Sequence, residues 1–166
     1  MSGLEPWQRD FLILVVLAWS NFLPILGRVF LGPRLSGAVD LGACWFDGRP
    51  LFGPHKTWRG LVLSLGGAWT LGLLLPMGPT TALQLALFSM AGDLLSGFLK
   101  RRLGIASGEQ APGLDQGLEA LVPLWALKDN LGLGWGEIAL LIASFWALDR
   151  AVSPVLFRIR IRRRPR

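Results

Sequence analysis

Two stretches without a charged side chain constrain this chain more than any other feature. From Gly60 to Gly92, 33 consecutive residues carry no charge, and Phe11 to Gly27 (FLILVVLAWSNFLPILG) form a second such run of 17. A helix rises about 1.5 Å per residue and a bilayer core is roughly 30 Å thick, so the shorter run is near the minimum for one span and the longer is too long for one. Pro76-Met77-Gly78-Pro79 interrupts the longer run with strong turn residues. It therefore predicts two helices, near Gly60–Leu75 and Thr80–Leu99, joined by a tight hairpin. A weaker segment, Leu114 to Leu127, contains Glu119 and Pro123; Asp129 to Gly136 reads as a Gly-rich turn; Trp135 to Phe157 is long enough to span. The expected fold class is all-α: one polytopic integral-membrane domain over residues 1–166 with about five transmembrane helices.

Composition supports a bilayer as the solvent. Only 17% of residues are charged and 52% are hydrophobic, whereas a soluble domain averages about 25% charged. That excludes a disordered or acidic tail protein and argues against an ordinary soluble enzyme. Cys44 is the single cysteine, so no internal disulfide can form. One His and one Cys also fall short of the four ligands of a structural zinc site. Tyrosine is absent and there are 8 tryptophans, compatible with interfacial anchoring. A cleaved signal peptide would begin with a basic segment, but Glu5 and Asp10 accompany Arg9 here, which disfavours that reading.

The net charge of +6 acquires meaning from its placement. Arg28, Arg34, Arg49, Lys56 and Arg59 lie between the first two spans, Lys100 to Arg102 after the third, and the remaining cluster, Arg158 to Arg166, after the fifth. Fourteen of the 17 basic residues thus fall on one side, leaving Arg9 and Lys128 on the other and Arg150 within a segment. The positive-inside rule places those two loops and the C-terminus in the cytoplasm and the N-terminus outside. Five spans satisfy this alternation, and four do not. The Arg162-Arg163-Arg164 cluster reads as an anionic-lipid anchor, and no nucleic-acid partner is expected.

Both cytoplasmic loops carry candidate chemistry. Gly53-Pro54-His55-Lys56-Thr57-Trp58-Arg59-Gly60 sets two cations and a hydroxyl directly before a helix, whose N-terminus favours phosphate; the plainer alternative is headgroup anchoring by Lys56 and Arg59. Asp93 lies within the third span, seven residues before Lys100, and an ionisable residue there usually faces the bundle interior and serves a function. Lys100, Arg101 and Arg102 alone are an ordinary interfacial anchor. Asp115 and Glu119, one helical turn apart, share a face. Carboxylates opposite a basic surface suggest Mg²⁺ held between protein oxygens and substrate phosphates. Asp115 can equally be a helix cap, and Glu119 an exposed first-turn residue. His55 reads as a local contact, Cys44 and Asp47 as structural or incidental, and Asp40 as a metal oxygen without support from spacing. Asp149 and Arg150, adjacent and therefore not facing each other, suggest snorkelling or a partner on another helix.

GPHKTWRG, then a span, then GDLLSGFLKRRLGI, then LDQ resembles the CDP-archaeol synthase family, integral-membrane CTP transferases related to the phosphatidate cytidylyltransferases. The motifs cover roughly Gly53 to Pro123, and the layout covers the whole chain. The resemblance implies five transmembrane helices, an outside N-terminus, Mg²⁺ dependence and a site formed by two cytoplasmic loops. It implies attack of a lipid phosphomonoester on CTP, giving a CDP-activated lipid and pyrophosphate. Asp93 and Asp115 would be metal ligands with Glu119 a third, and Asp93, Asp115 and Lys56 the catalytic set. Lys56, Arg59, Lys100, Arg101 and Arg102 would bind the triphosphate or the lipid phosphate, and Thr57 and Gln116 would orient phosphate or metal-bound water. Two positions depart from related cytidylyltransferases. Gly97 stands where they have Ser, with Ser96 before it, and Leu118 stands where they have a second acid, with Glu119 after it. Two rival readings remain: a non-enzymatic small membrane protein (a transporter subunit or assembly factor) with Asp93 as a packing or ion-pathway residue, and a CDP-alcohol phosphotransferase. The second lacks its D-G-x2-A-R signature here.

Overall fold

In a computed structural model the chain is described over residues 4–109 and 111–158. Six helices follow in order: α1 (Pro6–Leu31), α2 (Trp58–Leu74), α3 (Pro79–Arg102), α4 (Leu114–Ala126), α5 (Lys128–Leu131) and α6 (Trp135–Arg158). Five of them correspond to the five apolar segments of the sequence, and α5 is a single turn inside the expected Gly-rich connection. The C-terminal Arg162–Arg164 anchor lies outside the described residues.

Length separates the helices. α1 and α3 are long and apolar enough to cross a membrane, with mean hydropathy 1.9 and 1.5. α2 has 17 residues and α4 only 13, or about 26 and 20 Å at 1.5 Å per residue. α1 runs past its charge-free core at both ends. Pro6 opens it at the first turn, where a missing N–H costs nothing, and Pro24 lies inside it without ending it. Pro123 likewise sits within α4.

The helices run alternately up and down. At one end Arg9 of α1 donates to the carbonyls of Leu131 (3.2 Å) and Gly132 (2.9 Å) and to Glu137 Oε1 of α6 (2.6 Å). Met77 of the α2–α3 hairpin shares the core there with Leu127, Leu131 and Leu133. That hairpin closes because Gly72 has no side chain: a Cβ would stand 2.6 Å from Pro79 Cα and 2.7 Å from Ala82 Cβ. Both long connections, 32–57 and 103–113, lie at the opposite end.

Ile13, Val16 and Leu17 of α1, Leu85 of α3, Leu124 of α4 and Leu141 and Phe145 of α6 form the core, at the three- and four-residue spacings of single helix faces. Small polar side chains join helices within it. Asn21 donates to Ser89 Oγ at 3.0 Å, and Ser64 donates to the Ser20 carbonyl, the kind of contact that associates helices where lipid supplies no hydrophobic drive. Around the core, Leu73, Leu74, Leu87, Trp125 and Leu140 face outward.

Candidate active site

α3 and α4 cross closely at the end that carries both long connections. Gly92 makes the crossing possible: a Cβ there would run into the Leu118 carbonyl, with Glu119 N 3.1 Å away. Next to this contact stands Asp93, whose carboxyl group is within hydrogen-bonding distance of that of Glu119. Lys56, reaching from the 32–57 connection, forms an ion pair with Asp93. One helical turn pair further along α3, Lys100 pairs with Asp115 of α4, with Nζ 2.8 Å from Oδ1 and donating to Oδ2 at 3.0 Å. Asp93 and Lys100 share a face of α3, since seven residues make about two turns. Two lysines and two aspartates from three chain segments therefore alternate in one half-buried array, with Glu119 buried behind it.

The route of Lys56 explains one departure from the related enzymes. Its stem crosses α3 at Gly97, where a Cβ would come within 3.1 Å of Lys56 Cε. Ser96 instead points inward, fully buried, and donates back to the Asp93 carbonyl at 2.9 Å.

The other expected site residues divide by the work they do. Thr57 is the N-cap of α2, its Oγ accepting from Gly60 N at 3.2 Å. Gln116 bridges: its Oε1 accepts from Gly113 N at 3.1 Å and its Nε2 donates to Asp149 Oδ2 at 3.0 Å. Asp149 thus has its partner on another helix. Arg59 is buried and donates to the carbonyls of Gly32 (2.8 Å) and Arg34 (2.6 Å), closing the end of α1. Arg101 is buried and donates to the Ala106 carbonyl at 3.0 Å, binding the 103–113 loop to α3. Among the described residues the Nε atoms of Arg59, Arg101 and Arg102 are buried without a hydrogen-bond partner.

Arg102 faces away toward the 32–57 connection. It pairs with Asp47 at 2.6 Å, donates to the Pro50 carbonyl at 2.7 Å and lies over the Phe98 ring. Arg49 reciprocates by donating to the carbonyls of Arg101 and Arg102, both at 3.0 Å, satisfying orphan acceptors at the C-terminus of α3. Asp47 and Arg49 therefore clamp the loop to α3, a role for which the sequence carries no spacing signal.

Among the described residues Asp40 belongs to no metal-holding group, and its work is to hold the loop in shape. Its carboxylate accepts from the backbone N–H groups of Gly42 (3.1 Å), Phe52 (3.0 Å) and Gly53 (2.8 Å). Burial pushes its pKa up, but these three donors outweigh that and hold it below the ordinary carboxylate value. The turn it fixes, Gly53 to Lys56, is the one that aims Lys56. His55 packs against Gly108 of the second loop. Desolvation, then the cations Arg28, Arg101 and Lys56, lower its pKa against a hydrogen bond to the Ser107 backbone, so it is neutral at pH 7.

A depressed carboxylate pKa stabilises a fold above its unfolded-state value and ceases to do so as pH falls through the folded value. Asp40→Asn is therefore expected to loosen the 40–53 segment at pH 7 and to abolish its acid sensitivity. Hydrogen exchange at the Phe52 and Gly53 amides measures this. Loss of a charge-assisted bond, about 1.5–3 kcal/mol, corresponds to roughly 10- to 100-fold faster opening. Unchanged exchange would remove Asp40 from this role.

A divalent cation suits the donors present. Two carboxyl groups at hydrogen-bonding distance, Asp93 and Glu119, call for a proton or a cation between them. Asp115 Oδ1 is buried and has Lys100 Nζ 2.8 Å away as its charged neighbour, with no aligned hydrogen bond. Among the described residues no group of three His, Cys, Asp or Glu side chains is placed to hold a metal alone. Mg²⁺ commonly takes one or two carboxylates and completes its shell with water and substrate phosphate, which this set can provide.

Known proteins resemble this chain in sequence and in fold. The profile of the CarS-like CDP-archaeol synthase family matches residues 12–145. A CDP-archaeol synthase of Saccharolobus islandicus is 32% identical over 135 residues, covering 76% of this chain and 80% of the relative. One from Pyrococcus furiosus is 40% identical over 88 residues, covering 47% and 53%. A solved intramembrane enzyme of archaeal membrane-lipid biosynthesis superposes with TM-score 0.69 at 30% identity, covering 83% of this chain and 90% of that one. With two helices of spanning length and this match, the chain is an integral membrane protein, and it belongs to the CDP-archaeol synthase family.

Proposed function

We propose that this protein is a Mg²⁺-dependent cytidylyltransferase that joins the cytidylyl group of CTP to a membrane lipid phosphomonoester, giving a CDP-activated lipid of the CDP-archaeol type and pyrophosphate. The observation that carries the reading is the alternating array Lys56–Asp93 and Lys100–Asp115 at the end of the bundle. It offers cations for phosphate and carboxylates for a divalent ion within one cluster.

Without substrate these four charges neutralise one another. A triphosphate entering the cluster draws Lys56 and Lys100 toward its oxygens and frees Asp93 and Asp115. Those two carboxylates, with Glu119, would hold Mg²⁺, which when bound neutralises phosphate charge and orients the triphosphate. Arg59 and Arg101 add positive charge at the same end of the bundle. A lipid phosphate oxygen then attacks the α-phosphorus in line, a P–O bond to it forms, and the bond to the departing pyrophosphate breaks. No protein nucleophile takes part, and positioning with charge stabilisation supplies the rate. Gln116 and Thr57 act on the frame: one fixes α4 to α6, the other starts α2.

The arrangement also suits the two phases the substrates occupy. On this reading the 32–57 and 103–113 loops and the C-terminus are cytoplasmic and the N-terminus is outside, so CTP reaches the site from water while the lipid stays in its leaflet. Purified protein with labelled CTP, Mg²⁺ and a panel of phosphorylated lipids, ether- and ester-linked, should yield labelled CDP-lipid and pyrophosphate in equal amounts. No labelled lipid from any acceptor would sink the proposal.

A further inference from the structure

The connection between α1 and α2 carries more exposed apolar surface than a water-facing loop can hold cheaply. Phe46 is 96% exposed, Leu41 83% and Leu35 78%. Trp45, beside Phe46, packs edge-on against Phe98 of α3 with centroids 5.4 Å apart, so the tip is held firmly and Phe46 projects from it. The backbone adds a second, independent observation. Leu35 and Leu41 have φ of 55° and 49°, the left-handed region that usually falls to Gly or Asn. Each leucine thus combines a disfavoured backbone with an exposed side chain, and in water neither cost has a return. Strain of this kind points to function when an observed outlier carries it.

Charge identifies what covers this surface. The acids of the 32–57 segment are Asp40 and Asp47; the first is buried on backbone donors and the second is paired with Arg102 at 2.6 Å. Arg28 and Arg34 are exposed. Apolar side chains beside unneutralised cations are the pattern of segments lying in the interface of an anionic bilayer. Both ends of the segment enter helices of a membrane protein, so it is tethered at that surface.

We infer that the 32–57 loop is a membrane-embedded lip. Leu35, Leu41 and Phe46 insert at the boundary of headgroups and acyl chains, and Arg28 and Arg34 rest against anionic headgroups. The same loop delivers Lys56 to Asp93, so insertion fixes the charged array at the lipid surface. This inference does not depend on the nucleotide reaction.

Cys44, the one cysteine and an exposed one, lies two residues from Phe46 and serves as a natural probe. A nitroxide is attached there in the full chain, reconstituted in phosphatidylcholine with or without phosphatidylglycerol. A second protein, Cys44→Ser with Phe46→Cys, carries the label at the tip. Relaxation by oxygen should exceed relaxation by a water-soluble nickel chelate at both sites, and the label should shift deeper when phosphatidylglycerol is present. Nickel access equal to that of a free nitroxide in buffer, at both sites, would overturn the lip. Equal depth in the two bilayers would overturn the role of Arg28 and Arg34. Dipolar broadening that disappears on dilution with unlabelled protein would assign the patch to a second copy of the chain and overturn its assignment to lipid. No CTP enters the measurement, so its failure is separate from failure of the proposed reaction.

Discussion

Asp93→Asn is expected to reduce CDP-lipid formation at least about 100-fold, the scale on which one preorganised electrostatic group contributes to a transition state. Asn keeps the shape of Asp and removes its charge. That change touches two neighbours at once. Lys56 loses its counter-charge, with its side chain only 17% exposed, and Glu119 loses the carboxylate it faces. Part of any loss of activity could therefore be structural. The folding cost should lie between the roughly 0–1 kcal/mol of a surface pair and the 3–5 kcal/mol of breaking a buried one.

The double variant Lys56→Gln, Asp93→Asn separates the two effects. Removing both charges restores neutrality, so thermal stability in detergent should return toward that of the parent while turnover stays absent. Activity of Asp93→Asn within tenfold of the parent, or recovery of activity in the double variant, would show that Asp93 serves packing alone. The same logic applies to Lys100 and Asp115, where the side chains are 9% and 7% exposed and the folding cost should be larger.

Sequence and structure agree most closely where hydropathy alone decides. The charge-free runs reappear as α1, α2 and α3 because a run of that length has few other places to go, and the two charge-bearing segments reappear as α4 and α6. Their ends were less legible. α1 continues to Leu31 beyond Arg28, since a backbone ladder does not stop at a charge whose side chain can extend outward. At the site, each acid and base could be singled out by its cost within or beside an apolar segment. Their pairing could not: Lys56 and Asp93 are 37 residues apart and Lys100 and Asp115 are 15 apart, and only the packed bundle brings them together. The structural roles of Asp40 and Arg49 are not legible for a related reason. Their partners are backbone groups, and nothing in a sequence marks which carbonyl or N–H will need one.

Gly92→Ala should have an effect out of proportion to one methyl group. The new Cβ would meet the Leu118 carbonyl at a separation no pair of atoms tolerates, with the carbonyl carbon at 2.8 Å and Glu119 N at 3.1 Å. All three are backbone atoms of α4, so no rotamer change relieves the clash and the helices must part. Overpacking of this kind costs about 1–3 kcal/mol. The consequence for chemistry is greater, because the parted elements hold opposite halves of the site: Asp93 and Lys100 on α3, Asp115 and Glu119 on α4. A displacement near 1 Å can lower a rate about 100-fold. Gly66→Ala is the matched control, for it is also a helical glycine, and a Cβ there meets nothing within 4 Å. Turnover and thermal unfolding of both variants should show Gly92→Ala folded but slower by about two orders of magnitude, and Gly66→Ala indistinguishable from the parent. Equal activity of the two would mean that α3 and α4 can separate without disturbing the array, and the close crossing would then serve packing and not the site.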